Sequence, residues 1–177
     1  EKYARLIREA REKGKGVIVA TGHIGNWEVL AAYTAAHFPL SVVARRLYFE
    51  PFDKLVVGTR KKLGMELIYQ QDGVRPIIKA LRENRVIGIL VDQDIKGVAG
   101  DFVDFFGRKA LTPNVHAALA LSTGAPILAT AIVRTGDDPG RFKILVEGPV
   151  EIEQTGDKTA NRLALTEKWS KLFEDFI

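Results

Sequence analysis

An imidazole and a carboxylate five positions apart, His23 and Glu28, lie just after the apolar run Val17-Ile18-Val19-Ala20. A strand feeding a helix start would expose His23 at the strand's carboxyl end, where an imidazole can take a proton from a hydroxyl near neutral pH. Glu28, one turn into the helix, would fold back to fix the ring's tautomer and stabilise the imidazolium that forms. Thr21-Gly22 before the histidine and Gly25-Asn26 after it supply a flexible turn whose backbone N–H groups suit an oxyanion or phosphate. The Asn26 amide is a further donor to the turn or the oxyanion. Spacing alone fits a structural His as readily as a chemical one.

The elements around this turn follow from hydrophobic period and from Gly and Pro punctuation. Residues 1 to 13 carry Tyr3, Leu6, Ile7 and Ala10 on one helical face, and Gly14 supplies a stop. Strands are expected at 16 to 20, 40 to 44, 65 to 69 and 85 to 91, separated by helices from Trp27 to Phe38, Pro51 to Leu63 and Val74 to Asn84. Thr112-Pro113 reads as the N-cap and first residue of a helix running to Thr123. Two more strands, 126 to 133 and 142 to 146, flank the turn Gly136-Asp137-Asp138-Pro139-Gly140, and a helix closes the chain. This alternation predicts an α/β fold with a mainly parallel central sheet flanked by helices, whose ligands bind outside the carboxyl ends of the strands. Arg45-Arg46 and Asp92-Gln93-Asp94 then emerge on the same sheet edge as His23.

At 177 residues and 46% hydrophobic content the chain can build one substantial core. Cysteine is absent, which excludes a disulfide framework, a thiol nucleophile and thiolate metal sites. His23, His37 and His116 show no metal-ligand spacing, so no metal is expected, and His37 and His116 read as structural. The formal charge of +4 suits an anionic partner, with Arg60-Lys61-Lys62 as a solvated helix face or a contact for an acidic carrier protein or anionic headgroups. No P-loop, Gly-x-Gly-x-x-Gly turn or basic-aromatic interleaving supports the alternative class, a nucleotide or nucleic-acid-binding module, and no nucleic-acid partner is expected. No apolar run approaches the roughly 20 residues of a membrane span, so the chain as written is expected to be soluble.

Gly22-His23-Ile24-Gly25-Asn26-Trp27-Glu28 resembles the His-x4-acid motif of the lysophospholipid acyltransferase superfamily. It is most similar to that of the bacterial lipid A secondary acyltransferases, the lauroyl and myristoyl transferases, which carry Glu where the glycerophosphate branches usually carry Asp. In order and spacing the resemblance runs from residue 16 to about 150. It takes in Arg45, Asp92-Gln93-Asp94, Phe102-Val103-Asp104-Phe105-Phe106-Gly107 and Ala110-Leu111-Thr112.

The resemblance implies a glycerolipid acyltransferase-like fold over a single domain, 1–177, cut from a longer protein with an N-terminal membrane anchor and a longer C-terminal end. That protein would work at the cytoplasmic face of the bacterial inner membrane, in lipid A and lipopolysaccharide biosynthesis. It would move a fatty acyl chain from an acyl carrier protein or CoA thioester, a co-substrate rather than a bound cofactor, to a hydroxyl of a lipid A precursor or related phosphorylated glycolipid. His23 is then the general base and Glu28 its orienter. Arg45 matches the family's strand-end arginine and would bind phosphate or the oxyanion, while Asp92 and Gln93 shape the acceptor side. With no Cys and no Gly-x-Ser-x-Gly elbow, direct transfer needs no enzyme nucleophile. A glycerophospholipid or phosphoinositide mannoside acceptor is the alternative on the same fold; a serine hydrolase fits less well.

Overall fold

The computed structural model describes residues 1–177. In chain order the elements are α1 (Lys2–Arg11), β1 (Val17–Thr21), α2 (Trp27–His37), β2 (Leu40–Ala44), α3 (Glu50–Lys62), β3 (Glu66–Tyr69) and α4 (Arg75–Arg82). They continue with β4 (Val86–Leu90), β5 (Gly100–Phe105), β6 (Arg108–Pro113), α5 (Val115–Thr123), β7 (Ile127–Arg134), β8 (Phe142–Glu147) and α6 (Lys158–Glu174). Six strands form one sheet in the order β3-β2-β4-β1-β7-β8. All neighbours are parallel except the β7–β8 pair, so the mainly parallel α/β sheet expected from the alternation is present.

The pleat of β1 sorts the core. Val17 and Val19 pack with Tyr3 and Ile7 of α1 and Leu30 of α2, while Ile18 and Ala20 face Leu81 of α4 and Leu165, Trp169 and Phe173 of α6. Every residue of β1 is buried, which is why it reads as a continuous apolar run rather than an alternating one. Trp169 donates its indole N–H to the Ala20 carbonyl at 3.2 Å and stacks on Phe173 at 4.9 Å between ring centroids. One tryptophan thus fills the core and ties α6 to the strand that ends in the His turn.

The region from 100 to 114 corrects the expected helix start. Thr112 and Pro113 end β6, paired with Asp101 and Gly100 of β5 in a two-stranded antiparallel sheet, and α5 begins after Asn114. Proline is tolerated there because the last residue of an edge strand need not donate to a ladder. The hairpin is fastened to α6. Arg162 grips Asp101 with two N–H groups at 3.0 and 2.9 Å, the Ser170 hydroxyl donates to the Asp104 carbonyl, and Glu174 accepts the Phe106 N–H. The Arg162 hydrogen bonds hold the Asp101 carboxyl below the usual carboxylate range.

His116 on α5 is fully buried beside Trp169, and neither ring nitrogen has a hydrogen-bond partner. The Pro113 carbonyl favours the protonated ring slightly but falls short of hydrogen-bond geometry. Burial dominates and pushes the imidazole down to about 4. Between its ordinary value of 6.5 and 4, the unfolded ring binds a proton that the folded ring refuses. Stability is therefore whole above this window and falls as pH drops through it, by on the order of 3 kcal/mol. Urea midpoints measured from pH 7 to pH 4 should show this decline, and His116→Leu should flatten it.

Candidate active site

Register builds the centre of the site. β1 and β4 pair in parallel with Thr21 opposite Leu90, and the Val91 N–H continues the ladder to the Thr21 carbonyl at 3.0 Å. Two residues beyond each strand end stand His23 and Asp92. One Asp92 oxygen lies 2.7 Å from His23 Nδ1, and the other accepts the His23 backbone N–H, also at 2.7 Å. An ionised carboxylate only accepts, so Nδ1 carries the proton in the neutral ring and Nε2 keeps its lone pair. The Trp27 ring meets the imidazole edge-on at 4.8 Å. The histidine therefore stands in a fixed orientation, with one third of its side chain exposed.

Glu28 departs from its expected place. Its carboxylate takes two hydrogen bonds from Arg60 of α3, at 2.5 and 3.2 Å, and none from His23. Asp92 already occupies Nδ1, and Glu28, in the first turn of α2, reaches sideways to α3. Asn26 caps α2, its side-chain oxygen accepting the Val29 N–H at 3.1 Å. Arg45 follows the last residue of β2, is exposed and has no carboxylate partner. Arg46 instead lies over the Tyr69 ring at 4.2 Å.

β2, β4 and β1 are neighbours, so the strand ends that carry Arg45, Asp92 and His23 sit side by side. A cavity of about 370 Å³ opens there, with His23, Arg45, Arg60 and Gln93 in its wall and Val43, Val56 and Val57 as apolar lining. Beneath it, between α2 and the sheet, runs a narrower apolar cavity of about 60 Å³ lined by Leu30, Leu40, Val42, Met65 and Ile89. Trp27, Glu28, Val43, Arg60 and Leu90 border both. The Glu28–Arg60 pair therefore stands where a polar cavity meets an apolar one.

Arg60 was expected only on a basic surface. Its signal lies in the helical stripe Asp53, Val56, Val57, Arg60, three and four residues apart, all four of which line the larger cavity.

The turn itself tolerates no side chain at Gly25. Its φ is +63°, and a Cβ there would come within 1.8 Å of the Ile132 carbonyl oxygen. Gly25→Ala should cost on the order of 3 kcal/mol from left-handed strain and backbone displacement together. Thermal melting should register this as a clear drop in midpoint. At Gly22 a Cβ would meet the Phe173 ring at 2.2 Å, so α6 braces the turn from below.

A histidine fixed at a strand end beside an arginine, over an apolar cavity, suits proton transfer from a hydroxyl near an anion or a developing oxyanion. The chain belongs to the bacterial lipid A biosynthesis acyltransferase family, which it matches over residues 4–177. It is 31% identical over 166 residues to the phosphatidylinositol mannoside acyltransferase of Mycolicibacterium smegmatis, covering 91% of this chain and 53% of that protein. The enzyme of the same name from Mycobacterium tuberculosis is 34% identical over 122 residues, 66% of this chain and 38% of the relative. A lipid A biosynthesis acyltransferase of Haemophilus influenzae is 22% identical over 161 residues, 89% of this chain and 49% of the relative. The chain thus spans about half the length of the curated relatives it matches. No helix is long and apolar enough to cross a membrane.

Proposed function

We propose that the protein transfers a fatty acyl chain from an acyl carrier protein or CoA thioester to a hydroxyl of a phosphorylated glycolipid. The observation that carries this reading is the His23–Asp92 pair, which leaves Nε2 free in a cavity that also holds Arg45. Nε2 takes the acceptor's hydroxyl proton as its oxygen attacks the thioester carbonyl, and Asp92 stabilises the imidazolium. Arg45 binds the acceptor phosphate or the developing oxyanion, where a planar bidentate donor is effective. Collapse of the tetrahedral intermediate breaks the carbon–sulfur bond. The departing thiolate takes the proton back from His23, leaving an ester and a free thiol. The apolar cavity under α2 receives the start of the acyl chain.

Lipid A precursors are the first acceptor to consider, given the Glu in the His-x4-acid motif. A phosphatidylinositol mannoside is the second reading, favoured by the higher identity to the mycobacterial enzymes. Acyl carrier protein and CoA thioesters should be offered with a lipid A precursor, a phosphoinositide mannoside and a lysophospholipid, and the products read by mass spectrometry. A new ester on one glycolipid is expected. Thioester hydrolysis with no acylated acceptor in any pairing would overturn the proposal.

A further inference from the structure

Helix α3 buries none of its residues. Its inner stripe lines the catalytic cavity, and its outer side carries an apolar cluster. Tyr48 is fully exposed, and Phe49, Phe52 and Leu55 are 67%, 54% and 64% exposed. Phe52, Leu55, Thr59 and Lys62 recur at intervals of three and four, the spacing of a single helical stripe, and Tyr48 and Phe49 lie just before the helix. Aromatic side chains this open stand against the ordinary cost of leaving large apolar groups in water.

Charge says what covers them. From Arg45 to Lys62 six cationic residues outnumber two acidic ones, an excess of four that equals the net charge of the whole chain. Lys54 pairs with Glu50, whereas Arg45, Lys61 and Lys62 have no carboxylate partner. Protruding aromatics ringed by unpaired cations complement an anionic bilayer, whose headgroups attract the lysines while the rings enter the interface. A protein partner of the usual kind would seat its anchors in pockets. Tyr48, Phe49, Phe52 and Leu55 border neither cavity of the site, and a bilayer requires no pocket from either side.

We propose that the outer stripe of α3, Phe52 to Lys62, together with Tyr48 and Phe49 just before the helix and Lys61 at its end, is the surface on which the protein rests on an anionic membrane. Leu47, Val56 and Val57, next to this stripe, line the cavity, so docking sets the cavity's α3 wall at headgroup level. A lipid acceptor then enters without leaving the interface. This rests on the acceptor being a lipid, as proposed above.

The test is sedimentation of the purified protein with phosphatidylcholine vesicles, with and without phosphatidylglycerol. Wild type should bind the anionic vesicles, less so as salt rises. Phe52→Glu/Leu55→Glu, both on exposed positions, should lower partitioning at least about tenfold with an unchanged melting temperature. Lys61→Glu/Lys62→Glu should weaken binding to anionic vesicles only. His23→Ala should bind as wild type does, so a failure of the acyl-transfer assignment with intact binding would leave this surface standing. Undiminished binding by the Phe52→Glu/Leu55→Glu variant would overturn it. So would a wild type that ignores vesicles and instead forms dimers, or captures an acidic carrier protein, through the same residues.

Discussion

Replacing His23 with alanine should lower kcat for acyl transfer by about a thousandfold, within the roughly 10²–10⁴-fold range of general-base contributions. The side chain is one third exposed and has one side-chain hydrogen-bond partner, Asp92, so the variant should melt close to wild type. Substrate affinity should change little, because the proposed contacts to phosphate and acyl chain come from other groups. Steady-state kinetics with a saturating acyl thioester gives the answer directly. Wild-type turnover by a folded His23→Ala protein would remove His23 from the mechanism.

The second large effect separates two carboxylates. Asp92→Asn retains the shape of the side chain but replaces one accepting oxygen with an amide. The His23 ring then loses its tautomer lock and its counter-charge. Loss of about 10²–10³-fold in kcat is expected, smaller than the 10⁴-fold seen where such a pair serves a covalent nucleophile. Glu28→Gln should behave differently, since Glu28 meets Arg60 rather than the imidazole. Weakening that contact loosens the α3 wall of the cavity, so KM should rise several-fold with kcat nearly unchanged. Equal collapse of kcat in both variants would return Glu28 to the histidine. A pH–rate profile separates the roles further, because only Asp92→Asn should displace the limb set by His23 ionisation.

The frame of the molecule was legible in residues 16 to 91 because buried parallel strands are apolar throughout and are cut by Gly and Pro. Leu40–Ala44 falls where the pattern puts it, and the strand ends bearing His23, Arg45 and Asp92 share one edge of the sheet. The identity of the ring's partner was not legible. Spacing along the chain shows which acid is near His23 in sequence, whereas Asp92 arrives from a neighbouring strand through the register of Thr21 with Leu90. Arg60 was hidden for a related reason. A cation on a basic helix looks solvated until the carboxylate facing it is known. Residues 102 to 107 alternate only in part and the second half of the β5–β6 hairpin reads as a helix start, because Phe106, a bulky residue, takes the turn position with a positive φ of 50°.

The two walls of the cavity beside His23 differ in how firmly they are held. His23 and Asp92 extend from β1 and β4, adjacent strands with core on both faces, so the amides of these two strands should exchange with solvent only on global opening. Helix α3, with no buried residue, belongs at the other end of that scale and opens by local fluctuation. Warming the protein should therefore erode substrate capture well before it disturbs the His23–Asp92 pair, so that activity lost to moderate heat is recovered by excess substrate.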